Sequence, residues 1–366
     1  MPIKFTVRFC DTFAKSVFCD TFVNLRIFYY ILLYFTISHT TMNIIFSTLI
    51  FCLVLFIYIH VYFHLKKGED LELYEIELPS KTKLEEICDI RQPVIFNFEN
   101  ARLNESCVRG AILDTYGAFD IKIRNVKEGE EEDKDKDKNM NISEMYIPIA
   151  FTNALKVLRD DEQSQYLSEN NADFLEETGL NKVFAYNDEF LRPAMVSNCL
   201  YDIVLASKQC KTPFRYEVNY RNYFLVTEGE VQLKLAPPKS TRYLSGVKDY
   251  ENFEFRSPVN PWQVQPMYRA DFDKVKCLEV TLKKGQIIFI PAFWWYSMNF
   301  LKDTTLCSFK YRTYMNTVAI LPQLAMRFLQ RQNVKRNVVV PKPKPKEDSN
   351  TANENDKIND NINDNK

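Results

Sequence analysis

The chain has 366 residues and a formal net charge of -1, with 47 Lys plus Arg set against 48 Asp plus Glu. That balance gives no electrostatic case for nucleic acid, so none is expected as a partner. Only eight glycines stand beside 28 phenylalanines and 20 tyrosines; this suits a large β-rich core, and no GxGxxG or Walker-type loop is present to cradle a nucleotide.

In chain order, residues 1–41 form an N-terminal extension without a clear period, in which FCDTF occurs at Phe9–Phe13 and again at Phe18–Phe22. Met42 offers a second candidate start. No Asp, Glu, Lys or Arg occurs from Ile27 to Leu65, and Ile44–His64 is long enough to cross about 30 Å of hydrocarbon. One transmembrane helix is predicted over 42–65, making the membrane the first expected partner. Lys66 and Lys67 directly after it place the soluble part on the cytoplasmic side of a single-pass protein. Residues 66–90 read as a polar linker running into a short helix.

QPVIFNF (Gln92–Phe98) is the first buried-strand pattern and opens a domain expected over 91–332. The dense mixed charge of 127–139 reads as a solvated loop. Helices are expected over Ala150–Leu158, Asp160–Glu177 and Ala319–Gln332, with strands alternating with turns from Tyr201 to Tyr314. The Ala319–Gln332 helix is expected to lay its apolar residues on the barrel. After Val340 the PKPKPK run and the Asn/Asp/Lys-rich remainder lack the apolar residues to fold, so 333–366 is expected to be a disordered tail.

All three histidines, His39, His60 and His64, precede Leu65. The remaining chain therefore has no His-based acid–base chemistry, no Ser-His or Cys-His nucleophile and no His-dependent metal site. The nine cysteines form no CxxC, which argues against a zinc module and for small buried thiols.

Two separated segments carry a family likeness. TPFRYEVNYRNYFLVTEGEVQLKLAPPKSTRYL (Thr212–Leu244) and KKGQIIFIPAFWWYSM (Lys283–Met298) resemble the two motif segments of JmjC and cupin-like dioxygenases, T-P-x-H-x-D and G-D-x-x-x-x-P-x-x-W-W-H. Weaker likeness at QPVIFNF and at Tyr166–Leu180 extends the match over roughly Gln92–Thr313. The resemblance implies a mainly β fold, a double-stranded β-helix of cupin or jelly-roll type with flanking helices, and extends to the cupin-like proteins of large DNA viruses.

The active family binds iron through two histidines and a carboxylate. On the resemblance those positions are Arg215, Glu217 and Tyr296, so this is a degenerate member without the iron ligands. A guanidinium has no lone pair to give and repels a cation. The family's cosubstrate lysine falls at Val231. No metal, no cofactor and no catalytic residue is therefore expected. Arg215 and Glu217, two apart on a predicted strand, should share a face and pair across the barrel mouth, with Tyr296, Trp294 and Trp295 as walls.

The favoured reading is a membrane-anchored, non-catalytic cupin-like module that binds a protein partner or a small anionic ligand or serves as structure. The alternatives are an atypical metal-dependent 2-oxoglutarate oxygenase and a structural membrane or virion component.

Overall fold

The computed structural model describes residues 42–126, 146–250 and 252–332. The extension 1–41, the charged loop 127–139 and the tail 333–366 lie outside the described residues. Strand-forming runs of alternating or continuous apolar residues build two sheets. The larger has the order β1 (Tyr74–Ile76), β2 (Val94–Asn97), β13 (Gln286–Pro291), β8 (Arg221–Glu228), β15 (Thr304–Thr313), β6 (Val196–Ala206), β5 (Tyr166–Ser168), β3 (Asp120–Asn125), β4 (Ile147–Ala150). The smaller has the order β10 (Val247–Asp249), β11 (Glu254–Arg256), β7 (Arg215–Tyr216), β14 (Trp295–Phe300), β9 (Glu230–Ala236), β12 (Leu278–Lys283).

From β6 to β9 the chain changes sheet at each strand, and it does so again from β12 to β15, which is the winding expected for a cupin fold. Gly229 forms the corner between β8 and β9, and these strands enter different sheets instead of closing a hairpin. Its φ of +83° is open to glycine, and a Cβ there would stand 2.4 Å from the Asp303 carbonyl oxygen.

Strand alternation divides the larger sheet between two cores. Tyr223, Leu225, Ile287, Phe289, Phe309 and Tyr311 face outward onto helices that include Phe151–Arg159 and Leu180–Asn187. Their neighbours Phe224, Val226, Ile288, Ile290 and Leu306 face inward to meet Val231, Leu233, Tyr296, Met298 and Phe300 of the smaller sheet. Burial on both faces is why these strands read as nearly unbroken apolar runs.

Three expectations need correction. The 66–90 segment is part of the domain: β1 pairs with β2, and the Lys81–Asp89 helix buries Leu84, Ile87 and Cys88. Asp160–Glu177 is helical only over Ala172–Glu177, because Tyr166–Ser168 pairs with β3 and β6 instead. The helix expected over Ala319–Gln332 starts later, at Leu321–Gln332, and a separate short helix, Tyr314–Ala319, precedes it.

The Met42–Leu65 helix is about 36 Å long at 1.5 Å per residue. Its Phe46–Leu65 stretch has a mean hydropathy of 2.2 and is largely exposed before its last turn; it is long and apolar enough to cross a membrane. Its last turn docks on the domain. The His64 ring meets Tyr220 at 4.8 Å, and the buried Arg91 guanidinium lies over both Phe63 and Tyr220. Gly68 follows so close to Arg91 that a Cβ would stand 2.1 Å from the Arg91 carbonyl oxygen.

Candidate functional site

The two motif segments meet where β7 pairs with β14. Arg215 stands directly opposite Tyr296 in the register, so the two side chains share a face. The guanidinium lies 5.3 Å from the centre of the Tyr296 ring. A backbone hydrogen bond from the Phe293 amide to the Glu217 carbonyl at 2.8 Å ties the segments again. The positions assigned to the two histidines are thus neighbours, as the motif alignment requires.

The expected Arg215–Glu217 pair does not form. Arg215 donates to Glu169 at 2.5 Å, and Glu169 also pairs with Arg124. Arg124 in turn reaches Glu254 at 3.4 Å, and the Tyr146 hydroxyl donates to Glu254 at 2.8 Å. β7 ends at Tyr216, so Glu217 lies beyond the strand whose alternation was to align it with Arg215. It accepts instead from Lys310 at 2.7 Å, from the Tyr296 hydroxyl at 3.2 Å and from Asn219 at 3.3 Å.

These pairs set the charge states. Burial alone would raise the Glu169 carboxyl, but the guanidiniums of Arg124 and Arg215 outweigh it and hold the group down at about 2. Burial works against the charged form of Arg215, yet Glu169 keeps its pKa well above the ordinary range. Burial pushes the Tyr296 phenol well up, so it remains a neutral donor. Asp202 is lifted by burial to about 6 despite accepting from the Asn170 and Asn171 amides.

The residues border a cavity of about 270 Å³ at the polar end of the barrel. Tyr296, Arg215 and Glu217 line it, whereas Trp294 and Trp295 do not. Trp294 packs in the inter-sheet core, and alternation turns Trp295 away from Tyr296, so it packs against Tyr216 and donates to Thr241 at 2.9 Å. The expected tryptophan walls are core packing. The sequence reading missed Glu169, Arg124, Glu254 and Asp202, and also Ser308, Lys310 and Arg312, whose period-two spacing on β15 aims all three inward below Leu306.

An iron ion does not fit these residues. Arg215 is cationic, Glu217 is held by Lys310, and Tyr296 is a buried neutral phenol. Among the described residues no group of three or more His, Cys, Asp or Glu is placed to hold a metal. Val231, at the expected cosubstrate-lysine position, is fully buried in the apolar core.

The family model described as the cupin-like domain matches residues 79–316. The chain belongs to the cupin-like family. No curated protein matches it. Within this cupin-like domain the matched span begins in the Lys81–Asp89 helix region and ends in the Tyr314–Ala319 helix, so it takes in both motif segments and every strand from β2 to β15.

Proposed function

We propose that the protein is a catalytically silent cupin-like module, anchored in a membrane by the Met42–Leu65 helix with its barrel on the cytoplasmic side, and that the barrel cavity receives a small anion. The observation that carries this reading is the charge lining the cavity. Six cations, Arg124, Arg215, Arg256, Lys310, Arg312 and Arg327, face four carboxylates, Glu169, Asp202, Glu217 and Glu254.

Burial lifts Asp202 to about 6, so the excess grows as the pH falls below that value. Arg312 hydrogen-bonds Asn219 at 2.6 Å and is in no ion pair among the described residues. The buried Ser308 Oγ and Arg215 Nε have no hydrogen-bond partner among the described residues, so both retain donors for a ligand. Loss of the metal ligands and gain of an ion network at the same spot support a binding role over oxygen chemistry.

The experiment is a thermal melt of the full chain in detergent, with and without millimolar phosphate or small di- and tricarboxylates, beside metal analysis of the purified protein. Anion-dependent stabilisation that Arg312→Ala reduces at least tenfold in apparent affinity is expected, with no stoichiometric iron. Stoichiometric iron with turnover of 2-oxoglutarate would overturn the silent reading. No stabilisation by any anion would overturn the ligand.

A further inference from the structure

The last two described helices carry an apolar face that the barrel does not use. In the Leu321–Gln332 helix, Leu324 packs beside Ile320 against Val218 and Phe255, Gln323 is buried, and Arg327 lies over the Phe253 ring. At 100° per residue these positions share one side of the helix. Leu321, Ala325, Phe328 and Leu329 fall on another side, at the i, i+4, i+7, i+8 spacing of an apolar stripe, and all four are exposed. Phe328 is 62% exposed and Leu321 58%. The Tyr314–Ala319 helix extends the stripe with exposed Tyr314 and Val318. The sequence reading gave this segment one apolar face, docked on the barrel; the structure shows a second, turned outward.

Two observations say what covers it. The Tyr314–Ala319 helix packs against the Met42–Leu65 helix, which places the stripe beside a helix able to cross a bilayer. The charge pattern supplies the second. From Tyr314 to Lys346 the sequence holds seven Lys or Arg and no Asp or Glu, six of them after Leu329. An apolar stripe within a purely basic stretch is the chemistry of an anionic lipid surface, where the apolar side chains sink about 5–10 Å into the headgroup boundary.

We infer that the Tyr314–Leu329 stripe lies in the interface of the same bilayer that the Met42–Leu65 helix crosses, against anionic lipid headgroups. This rests on the membrane-anchored reading above. The barrel then touches the membrane at two places, one spanning and one interfacial, and Lys66 and Lys67 sit between them in the headgroup layer.

The test uses the full chain carrying Phe328→Trp, reconstituted in vesicles of phosphatidylcholine and phosphatidylserine with brominated acyl chains. The parent, with its three native tryptophans, supplies the background. The added indole is expected to emit to the blue of its position in water and to be quenched at least twofold by bromine near the headgroup end of the chains. Quenching should weaken when phosphatidylserine is left out, and Leu321→Ser with Leu329→Ser should abolish it while leaving the melting temperature unchanged, because neither side chain touches the core. An unquenched, solvent-like indole on protein that still resists carbonate extraction would overturn the interfacial contact alone. Quenching indifferent to phosphatidylserine would overturn the anionic-lipid assignment. Release of the parent protein by carbonate would overturn the anchored reading and this inference with it.

Discussion

Replacing Glu169 by glutamine removes the one carboxylate that two guanidiniums share. The Glu169 side chain is 5% exposed, Arg124 4% and Arg215 16%, so little solvent is available to take over. A carboxyl held at about 2 where the ordinary value is 4.5 contributes about 3 kcal/mol at neutral pH. Breaking one partner out of a buried ion cluster costs about 3–5 kcal/mol, a consistent figure. Glu169→Gln should therefore destabilise the fold by about 3–5 kcal/mol. Arg215→Met should cost less, about 1–3 kcal/mol, because Glu169 keeps Arg124. Equilibrium urea unfolding of the full chain in a mild detergent reads these differences. In a double-mutant cycle the Glu169/Arg215 pair should couple by about 2 kcal/mol, and the Arg215/Glu217 pair by less than about 1 kcal/mol. A Glu169→Gln cost under about 1 kcal/mol, or stronger coupling of Arg215 to Glu217 than to Glu169, would refute this account of the network.

Stability should also depend on pH through two opposed carboxyls. Glu169 is depressed, so its contribution is complete above about pH 4.5 and is lost as the pH falls toward about 2. Asp202 is raised to about 6, so the stability it adds is complete below about pH 4 and is lost as the pH rises through about 6. The melting temperature should peak near about pH 4 to 4.5, and Asp202→Asn should flatten the limb between about pH 4 and 6. Gly229→Ala should cost about 2 kcal/mol or more in the same unfolding assay, since it combines a positive φ with a clash against the Asp303 carbonyl. Lys310→Met should cost about 1–3 kcal/mol by removing the ion pair of Glu217, and should weaken stabilisation by anions in the melt.

Much of the barrel was legible because period and motif agree. The buried strands announce themselves as continuous apolar runs, and the resemblance of the Thr212 and Lys283 segments to the family's motifs put Arg215 and Tyr296 at one place, where the register pairs them. The partner of Arg215 was not legible. Glu169 follows β5, Arg124 lies on β3, and Glu254 lies on β11, so the network is assembled by long-range pairing that no local pattern encodes. The Arg215–Glu217 expectation failed because alternation holds only while a strand continues, and β7 has two residues. Ser308, Lys310 and Arg312 did leave a signal in their period of two on a recognisable strand. β5 was read as helix because three residues are too few for periodicity to show.

The closeness of Gly68 to Arg91 bears on how the barrel meets its surroundings. A flexible tether would let the barrel sweep a hemisphere and present every side in turn, whereas here only Lys66 and Lys67 separate the last helical residue from a contact tight enough to exclude a Cβ. On the proposed topology the cavity keeps one bearing to the bilayer normal. Encounters with another membrane-bound molecule then become a search in two dimensions at fixed height, and a Gly68 substitution that loosens the joint would change which neighbours can reach the barrel without altering any residue that touches them.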